Sequence, residues 1–455
     1  MNIKQLRQTI LDRAIRGQLV SQDPTDEPAS VLLERIRAEK EQLIKDKKLK
    51  REKRDNQPIE EIPFEIPEGW VWCRLGEIAY IASGSTPKST SFVDKGIPYL
   101  KVYNLRNQVI DFDYKPQYIK ESIHNGILKR SKTEIGDLIM NIVGPPLGKL
   151  AIIPTSLPES NFNQAAVLIR PYLHKNIVNK YLFYFLSEMS EINSISTKGS
   201  AGQVNISLSQ AKDMKIPLPP LKEQHRIVQK IEQLFALIDI IEVNKKALEK
   251  LIQQAKSQVL SDAVAGKLTH QDPNDEPAEE LLKRIGKTTA PDTPYEKMLP
   301  KGWACTEMQV LCQLLDGKKK EGVLYPYLDV VFLRGKTEGS YKENGKYIPK
   351  NTHLILVDGE NSGEIFTTTI EGYQGSTLKI LNISQEVNEQ FIFYILRKEQ
   401  KLFKESKTGS AIPHLNKKIF KELIVFLPPL AEQCRIVKKI ETYFAAFDKI
   451  KYELI

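Results

Sequence analysis

The 455-residue chain carries a net charge of +9 and only four cysteines. No apolar run approaches the roughly 18 residues of a membrane-spanning helix, and the scattered cysteines lack the spacing of a zinc site or a disulfide framework. The length predicts two to four domains, and the positive charge favours a polyanionic partner only modestly. The charged N-terminal stretch lacks the apolar core of a signal peptide, so we expect a cytoplasmic protein.

The first motif along the chain occurs twice. Residues 17–29 read GQLVSQDPTDEPA, and residues 266–278 read GKLTHQDPNDEPA, 249 positions later. A helical pattern precedes and follows each copy. We interpret the Asp and Pro residues as helix punctuation, with Asp and Pro opening the next helix. A metal site is the weaker interpretation, because neither copy has the spacing or glycine of a calcium loop. The basic run LKREKR at 49–54 is expected to be a solvated linker.

Two variable domains follow, opened by IPEGWVW at 66–72 and by LPKGWAC at 299–305. Short β-branched and aromatic runs bounded by Gly, Pro and Asn predict strands in each domain, such as GIPYLKVYNL, DLIMNIVG, KLAIIP and AAVLIRP. One helix is predicted in each domain, at about 179–190 and about 388–403. Each domain ends on an apolar strand that Pro-Pro closes. The predicted class is α+β with a mainly antiparallel or mixed sheet.

A second motif follows each variable domain. LPPLKEQHRIVQKIEQLFALID at 218–239 and LPPLAEQCRIVKKIETYFAAFD at 427–448 are identical at 15 of 22 positions. Apolar residues alternate spacings of four and three, which favours a coiled coil over ordinary amphipathic helices on a domain core. The predicted seam residues are Ile227, Ile231, Leu234, Ile238, Ile436, Ile440, Tyr443 and Phe447.

The order of the repeats indicates a circular arrangement. The central stretch, about 216–287, holds both motifs, whereas the other copy is split between the two ends of the chain. We therefore predict an intrachain antiparallel coiled coil, chain ends that lie together, and a pseudo-two-fold relation between the variable domains. The domains themselves repeat weakly, as in IPYLKVYNL at 97–105 and YPYLDVVFL at 325–333.

Catalytic motifs are missing from the sequence. It has no (N/D)PP(Y/F) methyltransferase tetrapeptide, P-loop, G-x-G-x-x-G after a strand, or HExxH. PDTPYEK at 291–297 resembles a nuclease acid cluster only faintly and lies in a Thr/Pro-rich linker. No catalytic or metal-binding residue is therefore predicted.

Polar loops are the remaining candidates for a site. Arg and Lys can pair with guanine, Asn and Gln can pair with adenine, and Ser, Thr and Lys suit phosphates. For any single loop residue a solvated side chain is the favoured interpretation, but the two loop sets together favour DNA contact. The candidates in the first domain are Ser85, Thr86, Lys88, Asn104, Arg106, Asn107, Lys198, Ser200, Gln203 and Asn205. Those in the second domain are Arg334, Lys336, Asn361, Lys407, Ser410, His414 and Asn416.

The doubled LPPLxEQxRIVxKIExxF, the doubled GxLxxQDPxDEPAxxLLxRI and the (L/I)PxGW opening of each variable domain resemble the specificity subunits of type I restriction–modification systems, the HsdS family. The resemblance covers essentially the whole chain. It implies target-recognition domains at 65–215 and 289–424, an N-terminal helical segment and basic linker at 1–64, a central helical region at 216–288 and a C-terminal helix at 425–455. The second recognition domain is shorter than the first, so contacts do not transfer loop by loop.

The resemblance also implies function and partners. Each recognition domain would read half of a bipartite, asymmetric site in double-stranded DNA, and the helices would set the gap between the halves. Two modification subunits would bind S-adenosylmethionine and methylate adenine N6, while restriction subunits would use ATP and Mg; this chain would bind no cofactor. The alternatives are a DNA-modifying enzyme, which the missing motifs disfavour, and a protein-only coiled-coil scaffold, which would not explain two divergent polar loop sets.

Overall fold

The computed structural model describes residues 3–51, 59, 62–144, 147–188, 204–286, 299–409 and 413–454. The chain divides into two compact units, Met1–Glu242 and Val243–Ile455. The division falls inside one long helix, and each unit contains one variable domain with the helices that flank it.

The first unit combines helices with short strands. Its helices are α1 (Ile3–Ile15), α2 (Ala29–Lys45), α3 (Leu75–Ile78), α4 (Glu121–Asn125), α5 (Lys175–Glu188), α6 (Leu208–Lys212) and the start of α7 (Leu221–Val264). Its strands are β1 (Val71–Arg74), β2 (Ala79–Ser83), β3 (Phe92–Val93), β4 (Ile97–Leu100), β5 (Leu105–Arg106), β6 (Val109–Ile110), β7 (Tyr118–Ile119), β8 (Leu138–Asn141), β9 (Val143–Gly144), β10 (Leu150–Ile152), β11 (Asn161–Phe162), β12 (Ala166–Pro171), β13 (Val204–Asn205) and β14 (Lys215–Leu218).

Two four-stranded sheets build the first variable domain, in the orders β10-β8-β12-β2 and β11-β4-β7-β3. The first sheet is antiparallel, whereas β11 runs parallel to β4. Along β8, Met140 packs in a core shared with the helices and its neighbour Ile139 packs in a second core. Successive strand residues point to opposite faces, so this sheet is buried on both sides.

The second unit repeats this plan. Its helices are the rest of α7, then α8 (Ala278–Arg284), α9 (Met308–Leu311), α10 (Val330–Leu333), α11 (Glu389–Lys398), α12 (Gln400–Glu405), α13 (Lys417–Glu422) and α14 (Leu430–Leu454). Its strands are β15 (Ala304–Glu307), β16 (Cys312–Leu315), β17 (Lys318–Lys320), β18 (Tyr325–Leu328), β19 (Tyr341–Lys342), β20 (Gly345–Ile348), β21 (His353–Leu356), β22 (Ile365–Thr367), β23 (Gly372–Gln374), β24 (Leu378–Ile383) and β25 (Ile424–Leu427).

The sheets of the second variable domain have the orders β16-β24-β21-β22 and β17-β20-β23-β18-β19. All pairs are antiparallel except β18 with β23. The predicted α+β class with mixed sheets is therefore confirmed. The single helix expected at about 388–403 is two helices, α11 and α12, which meet at Glu399.

Each variable domain begins and ends at one strand pair. In the first unit β1 pairs antiparallel with β14, with Val71 opposite Leu218. In the second unit β15 pairs with β25, with Ala304 opposite Leu427. The (L/I)PxGW motif leads into the first strand of each pair, and the LPPL motif ends the second. The chain therefore enters and leaves each domain at adjacent positions.

The long helix predicted after the first LPPL motif is continuous over 44 residues in α7, and the corresponding α14 spans 25 residues. All four cysteines are free thiols. Among the helices in the described ranges, none is both long and apolar enough to cross a membrane.

Candidate nucleic-acid interface and its framework

A buried carboxylate ties together the three shared motifs of the first unit. Glu223, in the first turn of α7, is 1% exposed. Its carboxylate accepts hydrogen bonds from the Trp70 indole at 2.9 Å and from the Gln22 amide at 3.1 Å. Burial raises the pKa of Glu223 despite these bonds. One turn on, Arg226 pairs with Asp26 at 2.7 Å. These five residues form what we call the first helix junction.

The second unit contains the same arrangement. Glu432 is 0% exposed and accepts from Trp303 at 2.9 Å and from Gln271 at 3.1 Å. Arg435 pairs with Asp275 at 2.6 Å. These residues form the second helix junction, and each corresponds to a residue of the first. The repeat seen in the sequence is therefore a repeat of individual hydrogen bonds.

These junctions correct one part of our interpretation of the QDPxDEP motif: its second proline does precede the next helix, but its aspartates do not cap that helix. Helices α2 and α8 begin after Pro28 and Pro277, and neither has a side-chain cap. The second aspartate of each motif, Asp26 or Asp275, instead forms an ion pair with an arginine of the helix that follows LPPL. Gly17, at the start of the motif, has φ +68, and a Cβ there would lie 2.3 Å from Pro67. The motif therefore docks on the helix and on the (L/I)PxGW turn.

A cation–aromatic clamp holds α1 against α7 in the first unit. The Arg7 guanidinium lies 4.8 Å from the centre of the Phe235 ring and pairs with Asp239. Phe235 also makes an edge contact with Tyr184 of α5 at 5.9 Å. Because Arg7 precedes Gln22 while Asp239 follows Glu223, the two helical segments run antiparallel.

The second unit repeats the clamp between α7 and α14. Lys256 lies 5.0 Å from the Phe444 ring and pairs with Asp448 at 2.6 Å. Phe444 contacts Tyr394 of α11 at 5.8 Å. Each half of α7 thus pairs antiparallel with a different helix of its own unit, and a helix of the variable domain contacts each pair.

The predicted seam is buried near each junction and opens further along the helices. Ile227, Ile231 and Ile238 are 3% exposed or less, and Leu234 is half-buried. On α14, Ile436 and Ile440 are fully buried and Phe447 is half-buried. Tyr443 is 38% exposed, and its neighbour Phe444 packs against the core instead. The sequence-based assignment of Tyr443 is corrected to Phe444.

The first predicted loop of the first domain has an anchored backbone, and its Thr86 side chain hydrogen-bonds Tyr99. The Ser85 hydroxyl accepts a hydrogen bond from Arg130 at 2.9 Å, and its backbone N–H donates to the Phe162 carbonyl. Thr86 and Lys88 follow and are exposed. The loop backbone is thus fixed while two polar side chains face solvent.

The second loop is a tight hairpin between β5 and β6. Its two turn residues, Asn107 and Gln108, have φ +49 and +62, as a type I′ turn requires. Arg106 is exposed, stacks 4.0 Å from the Tyr114 ring and pairs with Asp111. This stacking holds the guanidinium at the surface.

Asn104 has a different role from the one predicted. It is 1% exposed, and its amide donates to the carbonyls of Asp111 and Tyr114. Its side-chain oxygen accepts from the Lys101 backbone. Burial and complete use of the amide leave no group for DNA, so Asn104 shapes the loop and is removed from the contact set.

The last group of the first domain is only partly described. Asn205 is half-buried on β13, which pairs with β9. Lys198, Ser200 and Gln203 lie outside the described residues, as does Ser410 of the second domain.

Several predicted cations of the second domain are paired with acids. Arg334 forms an ion pair with Glu364, which raises the pKa of the guanidinium. The Lys407 ammonium donates to the Glu360 carbonyl at 2.6 Å. His414 contacts Asp358 at 2.7 Å. The acids orient these side chains and compete with any phosphate or base for them.

The other candidates of the second domain differ in availability. Lys336 and Asn361 are exposed. The Asn416 side chain accepts from the backbone of Lys418 and Ile419 and caps α13. Asn416 therefore has a structural role at the helix start, and we remove it from the contact set.

A surface of lysines and tyrosines on the five-stranded sheet was not predicted from the sequence. The Lys320 ammonium lies 4.5 Å from the Tyr325 ring and 4.2 Å from the Tyr347 ring. Lys342 lies 3.3 Å from the Tyr327 ring. The spacing of lysines in GKKKEG and YKENGKY was visible, but their meeting depends on strand pairing. No cluster of metal ligands occurs in the described part of the chain.

Known proteins resemble this chain over most of its length. A model of the type I restriction modification DNA specificity domain matches residues 67–250 and 312–455. The specificity subunit of the Escherichia coli type I restriction enzyme EcoAI is 27% identical over 550 aligned positions, covering 99% of this chain and 90% of the relative. The EcoKI specificity subunit of Escherichia coli K12 is 23% identical, with coverage of 86% and 85%.

Solved structures share the fold. A chain from a study of complex assembly and conformational transition in the type I R-M system has a TM-score of 0.60 at 19% identity, covering 86% of this chain and 96% of its own. The HsdS subunit from Thermoanaerobacter tengcongensis has a TM-score of 0.52 at 19% identity, covering 86% and 95%.

Proposed function

This chain belongs to the type I restriction-modification DNA specificity family, and from that membership we propose that it selects a bipartite DNA site for partner enzymes without catalysing a reaction itself. The main support for the proposal is that the same framework of strand pair and helix junction occurs in both units. The chain enters and leaves each variable domain at one strand pair, β1–β14 or β15–β25. Beside each pair stands an equivalent helix junction. Such a framework can hold two variable domains of different DNA specificity, each attached through an equivalent strand pair and helix junction.

Each variable domain is proposed to read one half of the site. Exposed loop side chains supply the contacts, with Arg and Asn suited to base edges and Lys, Ser and Thr to phosphates. The proposed set for the first domain is Ser85, Thr86, Lys88, Arg106, Asn107, Lys198, Ser200, Gln203 and Asn205. The set for the second domain is Arg334, Lys336, Asn361, Lys407, Ser410 and His414.

Acids beside the second set have a proposed role in specificity. Arg334 paired with Glu364 must exchange that carboxylate for a guanine edge, or be oriented by it. Lys407 beside Glu360 and His414 beside Asp358 have the same two alternatives, exchange of the acid for a base edge or orientation by the acid. A cation that gains little from an unselective phosphate contact discriminates better between bases.

The helices are proposed to set the gap between half-sites and to dock two modification subunits. The equivalence of the two junctions supports two copies of one partner. Apolar side chains on α7 support a protein-binding role, since Leu237, Ile240 and Leu251 are 56%, 55% and 60% exposed. S-adenosylmethionine would be bound by these partners, and ATP and Mg by the restriction subunits.

The test compares methylomes of a host with and without the gene, alongside gel-shift assays of the chain with and without modification subunits. We expect a bipartite methylated motif that disappears with the gene, and sequence-specific binding by the complex. Methyl transfer by the purified chain alone would point to an enzyme. Partner binding with no DNA binding would point to a protein-only scaffold. Either result would contradict the proposal.

A further inference from the structure

One face of the five-stranded sheet in the second variable domain carries lysines over tyrosine rings. In the strand register, Lys318 is opposite Tyr347, and Tyr347 is opposite Tyr373. On the neighbouring strands, Tyr327 is opposite Tyr373 and Lys342 is opposite Tyr325. Opposed residues project from the same face of a sheet. We call the set Lys318, Lys320, Lys342, Tyr325, Tyr327, Tyr347 and Tyr373 the lysine–tyrosine face.

A buried tyrosine supports the centre of this face. Tyr373 is 0% exposed, and its hydroxyl donates to the carbonyl of Val323 at 2.7 Å. A Cβ at Gly345 would lie 2.7 Å from the Tyr373 ring, so only glycine allows the ring to cross β20 there. The Tyr325 ring packs edge-on against Tyr373 at 5.5 Å. The Tyr325 ring therefore packs against a ring that is itself held in place by burial and by its hydroxyl hydrogen bond.

The outer side chains hold positive charge at the surface. Lys320 donates to the Tyr325 hydroxyl at 2.8 Å, which raises the pKa of Lys320. Lys342 rests on Tyr327, whose hydroxyl accepts a hydrogen bond from the Ser376 backbone. Lys318 is exposed and forms no ion pair with any residue that the structure describes. Glu371 also lies at this face, where its carboxylate accepts a hydrogen bond from the Tyr347 hydroxyl at 2.7 Å.

We propose that the lysine–tyrosine face binds the sugar–phosphate backbone of the DNA beside the half-site read by the second domain. This inference rests on the proposed function and adds a contact surface outside the predicted loops. An ammonium held over a ring keeps N–H donors for an anion while losing less side-chain freedom on binding. Lysine acts as a point charge that suits phosphate, and a phosphate contact carries no base information. The face therefore contributes affinity and register without sequence preference.

The same strand provides a matched control. Lys319 lies between Lys318 and Lys320, opposite Lys346, and therefore projects from the other face. Lys318 and Lys319 are both exposed. Lysines on an edge strand can also serve only to prevent edge-to-edge pairing, and that role predicts no difference between the two positions.

The experiment measures DNA binding by the full chain co-purified with its modification subunits. A fluorescent duplex containing the methylome-derived site is titrated at salt concentrations from about 50 to 200 mM. The variants are Lys318→Gln, Lys319→Gln, Lys318→Gln with Lys342→Gln, and the charge-retaining pair Lys318→Arg with Lys342→Arg. Thermal unfolding of each variant is compared with that of the unsubstituted protein.

Lys318→Gln is expected to weaken binding about threefold to tenfold and to reduce the slope of log affinity against log salt by about 1. The double Gln variant is expected to reduce the slope by about 2, while Lys319→Gln and the Arg pair stay near the unsubstituted values. The methylated motif should not change in any variant. If the double variant unfolds early, the exposed Lys318 and Lys319 single variants decide the result.

Equal binding by the Lys318→Gln and Lys319→Gln complexes would overturn the inference and leave the proposed function standing. A changed motif would also overturn it, because the face would then read bases. If the unsubstituted complex shows no preference for the site over other duplexes, the proposed function itself is wrong.

Discussion

Trp70 and Trp303 have the same environment although 233 positions separate them in the chain. Each indole donates at 2.9 Å to a buried glutamate, Glu223 or Glu432. A buried carboxylate that loses a donor keeps its desolvation cost without compensation. These single hydrogen bonds therefore contribute to the stability of each unit.

We predict that Trp70→Phe and Trp303→Phe each lower the free energy of unfolding by about 1–3 kcal/mol. Phe keeps an aromatic ring but removes the indole N–H together with part of the ring volume, and the control at Trp72 loses the same volume. Trp72→Phe is the matched control, since the buried Trp72 indole N–H has no partner among the described residues. Its cost should stay below about 1 kcal/mol. Chemical unfolding of the three variants tests this, and equal losses at positions 70 and 72 would refute the role of the junction.

His353 predicts a pH dependence for the second unit. His353 is 3% exposed, and its ring stacks on Phe393 at 4.2 Å and contacts Thr367 at 2.8 Å. Burial lowers the pKa of His353, although nearby Glu389 opposes the shift. The unfolded chain takes up a proton near pH 6.5 while the folded chain resists it. The stabilising contribution is therefore present above about pH 6.5 and is lost as the pH falls through the folded value.

The measurement is the thermal midpoint of wild type and His353→Gln between about pH 7 and pH 5. Glutamine takes up no proton in this range, so the variant should lose less stability on acidification. Parallel pH profiles for the two proteins would show that His353 does not contribute.

At the scale of elements, buried seam residues and surface ion pairs make unequal contributions. Ile231 and Ile440 are both 0% exposed and occupy equivalent positions on α7 and α14. The clamp acids Asp239 and Asp448 are 66% and 61% exposed, so solvent screens their ion pairs. Apolar burial therefore dominates helix pairing, while the ion pairs help to specify the antiparallel direction.

Ile231→Ala and Ile440→Ala are each expected to cost about 2–5 kcal/mol of unfolding free energy. Asp239→Asn and Asp448→Asn should each cost less than about 1 kcal/mol. Denaturant unfolding of the four variants compares them directly. The ranking would be contradicted by Asn variants that lose as much stability as the Ala variants.

The sequence predicted elements better than side-chain roles, for identifiable reasons. The strands that end in LPPL and the long helix were predicted because period and proline chemistry are local signals. The burial of Asn104 was missed because it depends on how one loop folds back on Asp111 and Tyr114. Tyr443 was misassigned because Phe444 beside it fits the apolar pattern equally well. The lysine–tyrosine face needs strands 318–320 and 341–342 to join one sheet, which no local pattern encodes.

At the scale of the molecule, the shared framework and the variable domains separate cleanly along the chain. The junction residues repeat one for one, whereas the loops and their acid partners differ between the domains. A continuous helix of 44 residues crosses the boundary between the two units. By helical geometry it is about 66 Å long, and under the proposed function this helix sets the gap between the two half-sites.

Inserting four residues near Lys245 would lengthen α7 by about 6 Å. At about 3.4 Å per base pair, we expect a gap wider by one or two base pairs with both half-sites unchanged. A matched insertion at the chain termini preserves helix pairing if the single insertion weakens folding. Methylome sequencing reads the result, and an altered half-site or an unchanged gap would argue against helices that set the spacer.

The most direct test of the account exchanges residues 65–215 for the corresponding domain of a relative with a different site. The exchange is feasible because Val71 and Leu218 face each other where the domain joins the framework. Methylome sequencing of a host carrying the hybrid with its modification subunits gives the recognised motif. We expect one half of the bipartite motif to change while the other half stays as it was. A motif in which both halves change, or neither changes, would contradict the claim that each domain reads its own half-site.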